Sequence, residues 1–486
     1  METHIHKMTE NGSRKRESSK KVKIPNADSA PISKIDDFCL DYIFQFLNIC
    51  ERVQIERVCK RWQYVSRRSW YTFKKLDYSP NRGWPRRNMA VQLLDQEVIQ
   101  PVLERCGRFL QSLNLSVEGI RKIYRSENIV VVIAANCQKL KVLDMSVLSV
   151  PAEAFTFLIP CCRNLRKLVF SIEGESKACE ETIIKLLKKA KKLKHFSTDF
   201  NSIHLDSFPA DTIEEIILNQ SIIRISELKT FSQLHTLILN KCKSINNYYL
   251  DLICSQMKNL RVFKMFELKS VEGDMALSSE GLENIGKLQN LEKLDVRGNY
   301  NILTDEVMAE IAKRCKKIAF LNISHNYKLT DKVLDALSNL KQLQCLIMNS
   351  NEVTGENLWR LYSLEKLECK WCRKLKTENL ILLVEISTNL KFLNCFGCCS
   401  INNDFLQAAA YATAGRVNET VLEMCTLETS MDIDNFQNRS PLLRIDNSPA
   451  FFEQDLMIDF QSEVIDCKDH ESDNDSDSDE YYELES

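Results

Sequence analysis

Most of this chain alternates apolar and polar positions in one recurring phrase, Leu-x2-Leu-x-Leu or a close variant. The phrase begins at Leu110, Leu140, Leu165, Leu193, Ile213, Leu234, Leu260, Leu291, Ile318, Leu343, Leu364 and Leu390. A degenerate last copy reads from Glu419, and Phe73-x2-Leu-x-Tyr reads as an irregular first one. Spacings of 20 to 31 residues lie in the range of stacked repeat architectures. Of the 39 positions numbered 1, 4 and 6 in the thirteen copies from Leu110 onward, 37 are apolar with Cys counted. Only Thr198 and Glu419 break the rule, so the register is not accidental. Alternation turns those side chains to one face of a short strand and positions 3, 5 and 7 to the other. No unit buries its apolar face alone, so stacking must supply a continuous core.

Between the strands lie helical segments such as Thr304–Arg314 and Thr330–Leu337, both opening with Thr-Asp, a suitable helix start. A helix is about 10 Å across and paired strands lie about 4.8 Å apart. The stack must therefore curve, with strands on the inner wall and helices outside. Copies of 20 and 21 residues leave little room for a helix, so the outer wall should thin there.

Upstream, Ile35 to Trp62 has another period. Leu40, Ile43, Phe44 and Leu47 sit at offsets 0, 3, 4 and 7, and Ile55, Val58, Cys59 and Trp62 repeat them. This reads as two short amphipathic helices. Periodicity alone fits any small helical hairpin.

The order of residues is more specific. Ile-x4-Leu-x2-Ile-Phe-x2-Leu from Ile35 to Leu47, then Val-Cys-Lys-x-Trp at Val58 to Trp62 and Trp70-x2-Phe-x2-Leu-Asp ending at Asp77, resembles an F-box. The departure is Asp36, where that family usually carries Pro; Asp36 or Asp37 is available to cap the helix instead. Cysteine three residues before the first apolar position (Cys137, Cys162, Cys315) and just after the strand (Cys242, Cys372, Cys398) resembles the cysteine-containing subclass of leucine-rich repeats. The predicted fold is α/β: a small helical F-box at 31–78, then a curved solenoid of about thirteen repeats at 79–426, parallel strands inside and helices outside. Disordered ends flank it, a basic segment at 1–30 and an acidic tail at 427–486, with 436–466 as a capping segment for the open last repeat.

The resemblance implies a non-catalytic, substrate-recognition subunit of a cullin-based ubiquitin ligase. Its F-box would dock on a Skp-type adaptor held by a cullin scaffold, and its repeats would hold an unidentified target protein for ubiquitination. Carried over by position, Ile35, Leu40, Ile43, Phe44, Leu47, Val58, Cys59 and Trp62 form the adaptor-facing and core set. Two alternatives stand beside it: a leucine-rich-repeat scaffold outside any ligase, and a GTPase activator resembling the Ran activator, a family with an acidic tail but no F-box.

Composition narrows the setting. Nineteen cysteines without a secretory signal suit a reducing compartment, cytoplasmic or nuclear, and the longest apolar run, Ile129 to Ala135, is too short for a bilayer. The net charge of −2 hides an imbalance, because 427–486 holds eighteen acids against three bases. The body is correspondingly basic, which attracts nucleic acid, acidic proteins or its own tail. Arg14, Lys15, Arg16, Lys20, Lys21 and Lys23 form either a nuclear-import signal or a solvated tail. Ser472, Ser476 and Ser478 precede acids and suit an acidophilic kinase.

Catalytic and cofactor chemistry is not evident. Cys369-x2-Cys372 with Cys395-x2-Cys398 has zinc-site spacing, yet each pair occupies the same two repeat positions, which makes the cysteines stacked neighbours without a metal. The histidines, among them His195 and His325, show no catalytic pairing, and no phosphate loop occurs, so no metal, cofactor or active site is expected. Lys185, Lys188, Lys189, Lys191, Lys192 and Lys194 lack aromatic interleaving beyond Phe196 and read as a solvated outer face, so nucleic acid is not the expected partner. The inner wall is poor in its early copies (Ser112, Asn114, Ser116, Ser146) and richer later. There Lys264, Phe266, Lys293, Asp295, Arg297, Phe320, Lys366, Glu368, Lys370, Phe392, Asn394 and Phe396 have the composition of a target-binding patch.

Overall fold

The computed structural model describes residues 31–77, 96–116, 124–125, 127–173, 177–268, 276–299 and 302–447. The predictions for 1–30 and for 448–486 lie outside these residues. Among the described residues, one parallel sheet of sixteen strands runs from Lys75–Asp77 to Leu443–Ile445, in chain order apart from the short side strand Tyr124–Arg125. Position 4 of the repeat forms one unbroken row through Leu113, Leu143, Leu168, Phe196, Ile216, Leu237, Phe263, Leu294, Leu321, Leu346, Leu367 and Leu393. All are buried, each worth about 1.5–3 kcal/mol of transfer free energy. The irregular first copy is in register too, since Leu76 pairs with Leu113. Thr198, the polar exception, is buried and accepts the Phe200 N–H through Oγ1 at 3.1 Å, which satisfies it inside the core.

The last copy is misread from sequence. Leu393 pairs with Met424 and not Leu422, so position 1 is Val421 rather than Glu419, two residues later. A backbone signature confirms it. From Ile213 onward, position 8 of every copy has φ between 49° and 71°: Gln220, Lys241, Glu267, Gly298, His325, Ser350, Trp371, Gly397 and Glu428. Glu428 is position 8 only when counting starts at Val421. The left-handed residue turns the chain off the strand while its N–H reaches the next repeat, as Trp371 N–H does to Phe396 O at 2.7 Å. The sheet also continues past 426, because Leu443–Ile445 pairs with Leu422–Cys425 and Met431, Ile433 and Phe436 pack on the core. Residues 431–445 therefore cover the last repeat, with Ser440 Oγ accepting from Thr413 Oγ1 at 2.8 Å.

On the outer side, Asp305–Arg314 is capped by Thr304 and buries Val307, Met308 and Ile311, with acids in its first turn and bases in its last. The copies of 20 and 21 residues carry no α-helix. Their return segments are strands Ser202–His204 and Ile222–Arg224, paired with each other, and a 3-10 turn at Leu358–Arg360. The outer wall is thin there, as chain length requires.

Residues 37–69 form three helices, not two: α1 (Asp37–Gln45), α2 (Ile49–Ile55) and α3 (Lys60–Ser69). Cys59 is extended and caps α3, so Ile55, Val58, Cys59 and Trp62 do not share a helix face. Asp36 caps α1, accepting the Cys39 N–H at 2.7 Å. Asn48 and Glu51 form a reciprocal capping box on α2. This head seals the open start of the stack: Ile49, Val53 and Phe73 pack on the solenoid core, and Trp70 belongs to it.

Candidate adaptor and target surfaces

The head holds a small core of its own. Leu40, Phe44 and Val65 are buried together, with Ile35, Leu47, Ile55 and Trp62 packed against them and the Phe44 and Trp62 rings 5.2 Å apart. The eight residues singled out in sequence therefore divide. Five build this core, while Ile43, Val58 and Cys59 stand exposed. Sequence reasoning missed the larger part of the exposed apolar surface. Phe38 and Tyr42 of α1 and Phe46 at its C-cap follow each other at four-residue steps, exposed by 82%, 60% and 74%, and Tyr42 meets Phe46 edge-on at 5.1 Å. Tyr64 on α3 and Val58 are also open. The signal was available as the i, i+4, i+8 aromatics, but it lies on the face opposite the apolar stripe.

Two charged residues fix the head internally. Arg52 is buried and donates to the carbonyls of Leu47, Ser69 and Gln45, with its guanidinium 4.4 Å above the Phe73 ring. Burial pulls its pKa down to about 10, still charged at neutrality. Glu56, also buried, accepts from Trp70 Nε1 at 3.1 Å and from the Arg105 guanidinium at 2.9–3.0 Å. Arg105 belongs to the solenoid helix Gln96–Cys106.

Along the inner wall, the later copies enclose a groove of about 380 Å³. Lys264, Lys293, Arg297, Phe320, Lys366, Glu368 and Lys370 line it, joined by His325, Cys345 and Ile347, which sequence reasoning did not place there. Glu368 is buried between Lys366 (2.6 Å) and Lys370 (3.5 Å), and Asp295 lies under Arg297 (3.4 Å). Arg297 covers the Phe266 ring at 4.4 Å, and Lys366 covers Phe392 at 4.6 Å. Burial depresses the His325 pKa. Asn394 is fully buried and turns its Oδ1 to the Phe396 N–H at 3.1 Å, so it shapes the turn instead of facing the groove. Phe396 packs edge-on against Trp371 at 4.8 Å, further along the wall.

The cysteine pairs have a structural occupation. Position 9 of six copies carries a donor to the position-6 carbonyl of the copy before. Asn299 reaches Met265, Asn326 reaches Val296 and Asn351 reaches Ile323. Cys242 reaches Leu218, Cys372 reaches Met348 and Cys398 reaches Cys369, at 3.4, 3.1 and 2.9 Å. Asn and Cys thus interchange at one site. The zinc-like spacing follows from donors at position 9 and core thiols at position 6.

Against this geometry stand the likenesses to known proteins. Residues 32–74 match the family profile described as F-box domain. This head is an F-box, and a leucine-rich-repeat solenoid follows it. The chain is 24% identical over 405 residues to a protein of Caenorhabditis elegans described as a putative RNA-binding protein, covering 77% of this chain and 51% of that one. It thus spans about half the length of that relative. Among solved structures, it resembles the Rad7–Elc1 complex of yeast at 15% identity and a TM-score of 0.47, over 82% of this chain and 97% of that one. An internalin of Listeria monocytogenes is similar at 15% identity and a TM-score of 0.41, over 76% and 91%.

Proposed function

We propose that the chain is a target receptor of a cullin-based ubiquitin ligase, its F-box docking on a Skp-type adaptor and its inner wall holding a protein target. The observation that carries the reading is the split within the F-box. Its core is complete with Leu40, Phe44, Val65 and Trp62, yet Phe38, Tyr42, Ile43, Phe46 and Val58 remain in solvent. Apolar surface gathered on one small unit is the mark of a partner interface. The unit's other side is committed to the solenoid through Ile49, Val53 and Glu56, so the two surfaces work at once. The chain's part in ubiquitin transfer is then positional: it raises the effective concentration of a target near another protein's catalytic centre.

Co-expression with a Skp-type adaptor tests the reading. The wild-type chain should co-purify with the adaptor, and Ile43→Asp with Val58→Asp should lose it while the solenoid melts unchanged. Undetectable adaptor binding by the wild type would leave a scaffold whose F-box only seals the repeat stack.

A further inference from the structure

The inner wall is electrically polarised. In the early copies, positions 3, 5 and 7 carry Lys75 and Lys167 against Asp77, Asp144, Asp199 and Glu215. In the five copies from Leu260 to Lys370 they carry Lys264, Lys293, Arg297, Lys366 and Lys370 against Asp295 and Glu368, a surplus of three positive charges. Both of those acids lie buried beneath the cations; Lys264 is buried as well, while Lys293, Arg297, Lys366 and Lys370 meet solvent. At the rim, Glu267 is paired with Lys241 at 2.9 Å.

We infer that this groove binds the chain's own acidic stretch, Glu471 to Ser486, which a target must displace. Three observations carry this. The stretch holds eight carboxylates (Glu471, Asp473, Asp475, Asp477, Asp479, Glu480, Glu483 and Glu485) and no Lys or Arg. The described chain leaves the sheet just past Leu443–Ile445, three strands from Lys366–Glu368 and seven from Val262–Phe266, roughly 14 and 34 Å at ~4.8 Å per strand. The 23 intervening residues, 448–470, reach up to about 75 Å when extended. Tethering then keeps the acidic stretch near the groove at an effective concentration no free peptide of equal charge would meet. Nucleic acid fits less well. The Phe266 and Phe392 faces on which bases would stack are already covered by Arg297 and Lys366. The inference rests on reading the inner wall as the target surface, and it makes target capture a competition.

Zero-length carbodiimide cross-linking of the full-length chain, with the links mapped by mass spectrometry, tests it. At low salt, Lys293, Lys366 and Lys370 should link to acids between 471 and 485. Those links should fall several-fold at about 0.5 M salt, where screening acts over a few ångströms. They should fall equally in Lys293→Glu with Lys366→Glu, and vanish when the eight acids become Asn or Gln, a change that leaves the solenoid untouched. Links from these acids to Lys185, Lys188 and Lys189 of the outer helix at equal frequency would overturn the proposal. So would ultraviolet cross-linking of a single-stranded RNA to the Phe320–Asn322 strand, undiminished by the acidic stretch. Adaptor co-purification is a separate readout, so failure of either reading is visible without the other.

Discussion

Glu56 of the F-box and Arg105 of the solenoid helix Gln96–Cys106 form a two-pronged ion pair, with Arg105 Nε 3.0 Å from both carboxylate oxygens and Nη2 2.9 Å from one. Forty-nine residues separate them in the chain. The pair, with Trp70 Nε1 on the same carboxylate, fixes the F-box against the solenoid.

Glu56→Gln should therefore weaken the junction. Removing one partner of a buried pair costs about 3–5 kcal/mol, and Arg105 retains some solvent, so about 2–3 kcal/mol is expected here. Urea denaturation measures it. A double cycle with Arg105→Ala that shows no coupling would mean the two residues act separately.

Core and exposed apolar residues of the F-box should behave oppositely on truncation. Phe44→Ala opens a cavity against Leu40, Val65 and Trp62 and should cost about 3–5 kcal/mol. Phe38→Ala, at an exposed site, should stay within about 0.5 kcal/mol of wild type. Thermal melts of the two variants separate the roles.

Gly397 is the position-8 residue beside Trp371, with φ +71°, and an added Cβ would lie 2.3 Å from the indole. Gly397→Ala should destabilise by more than the ~1 kcal/mol of left-handed strain alone. Glu428→Gly, at φ +53° with an exposed side chain, should be neutral or slightly stabilising. A melting shift of the opposite order would refute the position-8 account.

Cys372→Ala removes the donor to the Met348 carbonyl inside the stack and should cost about 1–3 kcal/mol. Cys372→Asn, which restores the donor used at Asn351, should recover part of that loss. Burial drives the Cys372 thiol up to about 12, so it stays protonated and able to donate at neutral pH. Equal stability of the two variants would show that the thiol's hydrogen bond carries no weight.

Cys39 should alkylate slowly despite its exposure. Its thiol donates to the Asp36 carboxylate, which raises its pKa, so less thiolate is present at a given pH. Asp36→Asn removes the charge, keeps a capping side chain, and should shift the iodoacetamide rate profile of Cys39 to lower pH. An unchanged profile would exclude the contact.

The sequence alone determined what period determines. Thirteen copies of a strand phrase, with the polar residue Thr198 in register, dictated a parallel sheet, because alternation and the need to bury one face leave no other stacking. The short copies likewise dictated where outer helices are missing. Three-dimensional pairing decided what period cannot see. It moved the last copy from Glu419 to Val421, since Leu422 and Met424 are both apolar and only the strand partner of Leu393 distinguishes them. It placed Cys59 at a helix start and so broke an apparent stripe into core and surface. It gave Cys372 and Cys398 a carbonyl each, a role fixed by the neighbouring repeat. It joined Glu56 to Arg105. Period is a property of neighbours along the chain, whereas each of these outcomes depends on residues brought together across it.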